Sequence, residues 1–121
     1  MSTNPTPIKT IDLLDIILQS LNDNKAIDVK SFDVSHLTDV TDHVIVCTAT
    51  SKRHALTLAD KASIIAKSNG EKPLSSEQDD SSEWILIDFV DVVVHIMLAE
   101  AREFYSLEKL WNITESSRQQ S

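Results

Sequence analysis

Ile11, Leu14, Ile17, Leu18 and Leu21 recur at spacings of three and four behind Thr10, which predicts a first helix over about 11–21 with Thr10 as its cap. The triplet Asn22-Asp23-Asn24 ends it. The period then falls to two. In DVKSFDV, Phe32 and Val34 alternate with Ser31 and Asp33, and the following HVIVCTA is rich in β-branched residues, so both stretches read as strands. The helical period returns with Ala55, Leu58, Ala59, Ala62, Ile65 and Ala66 on one stripe, capped by Thr50 or Ser51 and stopped at Gly70, the only glycine in the chain. Lys72 to Glu83 carries no period and reads as a polar connection.

WILIDF and DVVVHIML are two further strand-like runs meeting at Asp88-Phe89-Val90-Asp91. A two-residue turn at Phe89-Val90 predicts that Asp88 faces Asp91, Leu86 faces Val93 and Trp84 faces His95. Alternation then assigns Ile85, Ile87, Val92, Val94, Ile96 and Leu98 to one wholly aliphatic face, which must cover a core. Trp84, Leu86, Asp88, Asp91, Val93, His95 and Met97 fall on the other, mixed face. EAREFYSLEKLW closes the pattern, with Ala101, Phe104, Leu107, Leu110 and Trp111 spaced as a helical stripe. The order helix, two strands, helix, two strands, helix predicts a small α/β or α+β domain with helices packed on a mixed sheet. It occupies 10–111, with flexible polar segments at 1–9 and 112–121.

Length and composition are consistent with one self-supporting domain: 121 residues, 41% of them apolar. The single cysteine, Cys47, forms no internal disulfide, and no apolar run approaches a membrane span, so a cytoplasmic, non-membrane chain is expected. The net charge of −8 argues against a phosphate-binding surface. Its distribution is more informative. Seven acids (Glu77, Asp79, Asp80, Glu83, Asp88, Asp91 and Glu100) and no Lys or Arg lie between Pro73 and Ala101, a segment that repels RNA and attracts a basic protein. A solvated acidic loop is the plainer reading of Glu77 to Glu83.

Catalytic readings find little support. Metal-assisted phosphoryl transfer needs converging carboxylates and backbone donors for phosphates, yet Asp88 and Asp91 flank a tight turn and no Gly-rich loop exists. No Gly-x-Ser-x-Gly elbow is present, and Cys47 sits inside an apparent strand. His36, His43, Cys47 and His54 lack paired ligand spacings, with His43 and Cys47 roughly 13 Å apart along one strand face. No enzyme activity, metal or cofactor is therefore expected. A histidine in an apolar strand is most often a packed, hydrogen-bonded residue, and tryptophan is more often core than interface. A face holding Trp, His, Met and two acids nevertheless suits a protein contact, so core and interface both stand open for it.

The run TDHVIVCTATSKRHALTLAD, followed by EWILIDFVDVVVHIMLAEAREFYSLEKLW, closely resembles the ribosomal silencing factor family, also called the Iojap family, over about Asp28 to Trp111. The family's Thr-Asp pair is Thr41-Asp42, and its Thr-x-Thr-Ser turn with a following Arg is Thr48, Thr50, Ser51 and Arg53. Its Trp, Asp-x-x-Asp hairpin and strand histidine are Trp84, Asp88, Asp91 and His95. Its closing Tyr-x-Leu-Glu-x-Leu-Trp is Tyr105, Leu107, Glu108, Leu110 and Trp111. Ala49 and Val90 stand where the family commonly has glycine. A β-branched residue resists positive φ, and a type I or bulged turn at Val90 would slip the register by one, sending Trp84 and His95 to opposite faces.

The resemblance implies a fold related to nucleotidyltransferases without their glycine-rich catalytic signature. It implies binding to the large ribosomal subunit, chiefly to the basic ribosomal protein L-fourteen, where the small subunit docks. It implies that occupying this surface blocks joining of the small subunit and so lowers translation under nutrient limitation. Organellar relatives are linked to large-subunit assembly, and direct nucleic-acid specificity is not expected. The expected partner contacts are Trp84, Leu86, Asp88, Asp91, His95, Met97 and Tyr105, on a chain that is a monomer or weak homodimer when free.

Overall fold

A computed structural model describes residues 10–78 and 83–106. The helix α1 spans Thr10–Asp23, followed by strands β1 (Ile27–Asp33) and β2 (His43–Ala49) and by helix α2 (Lys52–Ser68). Strands β3 (Ser75–Gln78), β4 (Trp84–Asp88) and β5 (Val92–Leu98) come next, then helix α3 (Ala99–Tyr105). The strands form one sheet in the order β1-β2-β5-β4-β3, antiparallel except for the β2–β5 pair. A small mixed sheet with packed helices is the expected class. The expected segments 1–9 and 112–121 lie outside the described residues.

Local chemistry sets the helix ends. The Ser51 side chain accepts from the His54 backbone N–H, satisfying one of the free donors at the start of α2. At its other end Gly70 takes φ +89°, with its N–H on the Lys67 carbonyl and that of Glu71 on the Ala66 carbonyl. These two bonds form a Schellman motif, which satisfies carbonyls that the helix leaves open. Leu14, Ile17 and Leu21 of α1, with Ala55, Leu58, Ala62 and Ala66 of α2, bury against Ile45, Ile85, Ile87, Val92, Val94 and Ile96 of the sheet. The expected aliphatic face is therefore the main core face.

Three expectations need correction. The connection 72–83 contains β3, whose residues SSEQ have no apolar alternation and form a strand only by pairing with β4. The β4–β5 register differs by two residues from the expected one: Trp84 faces Met97, Leu86 faces His95 and Asp88 faces Val93. A shift of two preserves the faces, so Trp84 and His95 share a side as diagonal neighbours. The cause is Val90, which does adopt φ 77°. The Asp91 N–H bonds the Phe89 carbonyl at 3.0 Å, closing a three-residue turn centred on Val90 that leaves Asp91 outside both strands. This unfavourable conformation is held by the Val90 N–H on Asp88 Oδ1 at 2.7 Å and by the Asp42 and His43 N–H groups on the Asp91 carbonyl.

The third correction concerns the closing helix. It ends at Tyr105, because Ser106 takes φ 51° and turns its hydroxyl onto the Glu103 carbonyl at 2.7 Å. Of the expected helical stripe Ala101 is buried and Phe104 is 80% exposed, and Arg102 is the other buried residue of α3. Leu107, Leu110 and Trp111 lie outside the described residues.

Candidate functional site: the mixed face of the sheet

The face opposite α1 and α2 divides into two strips. Phe32, Val44, Val46 and Met97 form a second small core with Ala101 of α3, and Trp84 packs partly against it. Beside it, Trp84, Leu86, Asp88 and Val93 remain half-buried. Met97 is fully enclosed and His95 only 8% exposed, so these two expected contact residues support the face from beneath. Met97 is buried against Ala101 of α3, and His95 lies against Trp84, placements that strand alternation alone does not reveal.

Trp84 and His95 meet through a directed bond. The indole Nε1–H, which can only donate, points to His95 Nδ1 at 3.0 Å, so Nδ1 is the accepting nitrogen and the proton of the neutral ring sits on Nε2. The ring centroids are 5.7 Å apart. Burial pushes the His95 pKa down to about 4, which keeps the imidazole neutral and the indole bond intact at neutral pH. Tyr105, at the end of α3, places its ring 4.6 Å from that of Trp84 at a 48° tilt, and Phe104 packs edge-on against Tyr105 at 5.1 Å. An aromatic row thus runs from the half-buried Trp84 to the 48% exposed Tyr105 and on to Phe104. Asp88 and the exposed Asp91 sit at the turn end of the same hairpin.

Arg102, absent from the expected site, positions this row. Its guanidinium is buried and donates from one nitrogen to both the Asp28 carbonyl and Thr48 Oγ1, each at 2.8 Å. A second nitrogen lies 3.5 Å from the Asp28 carboxylate. The arginine therefore ties α3 to β1 and β2, and α3 carries Tyr105. Arg102→Met is expected to lower stability by about 2 kcal/mol, because two bonds from a charged donor are lost, with Arg102→Lys recovering only part. Urea denaturation of the three proteins measures this.

The other candidate groups are dispersed. Cys47 is buried in the main core, and burial pushes its thiol up to about 12. His54 is committed locally: Nδ1 accepts the Thr50 N–H at 2.9 Å, leaving Nε2 to meet the Asn24 carbonyl at 2.9 Å. Among the described residues no group of three or more His, Cys, Asp or Glu side chains is arranged to hold a metal ion. Nor, among them, is any helix long and apolar enough to cross a membrane. A groove of about 490 Å³ lies on the far side of the sheet, between α1 and α2, lined by residues including Ile16, Lys61 and Ile64.

Residues 7–121 match the family model described as "Ribosomal silencing factor during starvation". The chain is 36% identical over 99 residues to a ribosomal silencing factor RsfS of Haemophilus influenzae, covering 82% of this chain and 97% of that one. A crystal structure of a Chromobacterium violaceum protein superposes with a TM-score of 0.83 at 35% identity, covering 86% of this chain and 87% of that one. A mouse protein named mitochondrial assembly of ribosomal large subunit protein 1 is 30% identical over 103 residues, which is 83% of this chain and 45% of the mouse protein.

Proposed function

This chain belongs to the ribosomal silencing factor family, and on that premise we propose that it binds the large ribosomal subunit and blocks joining of the small subunit. Ribosomal protein L-fourteen is the proposed main contact and the cytoplasm the place of action. The observation that carries this reading is the aromatic row on the mixed face. Trp84 is held by a directed bond to His95, and the exposed Tyr105 lies against it. A rigid, half-buried tryptophan beside an exposed tyrosine is the make-up of a protein-binding anchor, and the acids at the turn suit a basic partner. Trp84, Leu86, Asp88, Asp91 and Tyr105 make the contact, with His95 and Met97 fixing it from below.

The activity is competition rather than chemistry. A bound factor excludes the small subunit sterically, so repression follows the factor's concentration relative to its dissociation constant. Light scattering of mature subunits tests this directly: added protein should lower the amount of joined ribosome, with half-maximal effect near its dissociation constant for the large subunit. Unchanged joining at saturating occupancy overturns the repressor reading. The mouse relative's name favours a second reading, an assembly factor, which predicts binding to immature large-subunit particles with no effect on mature ones.

A further inference from the structure

The pairing of β3 with β4 sets Glu77 opposite Leu86, which places its side chain on the mixed face with Trp84. Glu77, Gln78, Trp84 and Leu86 line a concavity of about 220 Å³. Small-molecule sites usually begin at about 300 Å³, so this space suits a single side chain. It lies beside β3, the edge strand of the sheet, and Glu77 is exposed, so a partner can approach from the side.

The walls define the occupant. An indole ring attracts a cation, a carboxylate pairs with it, and Leu86 offers an apolar surface to a methylene stem. An aliphatic side chain would cover the Glu77 carboxylate without giving it a partner, and an acidic one would be repelled. The segment from Pro73 to Ala101 carries seven acids and no Lys or Arg, which also disfavours RNA phosphates. We propose that the Glu77–Trp84–Leu86 groove receives one arginine or lysine side chain of the ribosomal protein on which the mixed face docks. This rests on the docking reading above and adds the side-chain chemistry by which the partner is recognised.

Affinity for purified large subunits, measured by sedimentation, tests the groove in wild type, Glu77→Gln, Glu77→Lys and Trp84→Ala. Glu77 lies on an exposed edge, so both of its variants should unfold at the wild-type temperature. Glu77→Gln is expected to weaken binding by about tenfold and Glu77→Lys by more, with a shallower salt dependence in Glu77→Gln. Wild-type binding by Glu77→Lys overturns the inference. So does tighter binding by Glu77→Lys, which would assign the groove to an RNA phosphate. If Glu77→Lys binds normally while Trp84→Ala does not, the groove alone is wrong; if both bind normally, the docking face is wrong as well.

Discussion

Trp84→Ala is expected to weaken binding to large ribosomal subunits by about thirtyfold or more, the effect of losing a tryptophan anchor of ~2 kcal/mol. Two features of the site argue for so large an effect. The ring is fixed before any partner arrives, by the bond to His95 and by Tyr105 against it, so little freedom is lost on docking. Removing it also takes from Tyr105 its ring contact on the sheet, so one substitution disturbs two contact residues. Trp84 packs only at the margin of the second core, and the main core under α1 and α2 does not include it. Cooperative thermal unfolding should therefore persist. Trp84→Phe separates the ring from its N–H: it keeps the aromatic wall and loses the directed bond, and should fall between wild type and alanine in sedimentation. Wild-type affinity in Trp84→Ala would remove the mixed face as the docking surface.

Where one local signal dominates, the sequence is a reliable guide. HVIVCTA becomes β2 along its whole length, and Ser51 and Gly70 bound α2 as cap and terminator chemistry require. The faces of the β4–β5 hairpin are also legible, because they depend on parity and an error of two in register leaves parity unchanged. The register itself is not legible. It turns on Val90 adopting φ 77°, which neighbouring backbone bonds enforce against the residue's own preference. Strand β3 is hidden for a related reason, since SSEQ gains its order from β4. Arg102 is further out of reach: its partners Thr48 and Asp28 are 54 and 74 residues away, and only the tertiary fold brings them to it. The apolar stripe likewise groups Phe104 with Ala101, whereas the early end of α3 leaves Phe104 with Tyr105 on the exposed aromatic row.

Stability should fall as pH drops from about 6.5 toward 4, and His95 should be the main cause. In the unfolded chain a histidine takes up its proton near pH 6.5, whereas burial holds the folded His95 neutral down to about pH 4. Between these values the unfolded state binds a proton that the native state refuses, so unfolding is favoured progressively as acid is added. Above pH 6.5 both states are neutral at this position and the slope from His95 vanishes. Across the whole window the loss is on the order of 3 kcal/mol, a large share of the ~5–15 kcal/mol that holds a typical domain. Asp33 adds little in this range: hydrogen bonds from Ser35 hold its carboxyl below the usual value of 3.8, so the stability it contributes is lost mainly as pH falls through and below that value. Urea denaturation at about pH 7, 6 and 5 should show the decline in wild type and a much flatter line in His95→Gln, whose amide oxygen can still accept the Trp84 N–H. Equal slopes in the two proteins would place the linkage elsewhere. Protonating Nδ1 in the folded protein, which occurs only near pH 4, deprives the Trp84 N–H of its acceptor, so the affinity of folded protein for the large subunit should weaken at the acid end of this range, after the fold has begun to lose stability. That coupling follows from one imidazole serving both the second core and the anchor that stands above it.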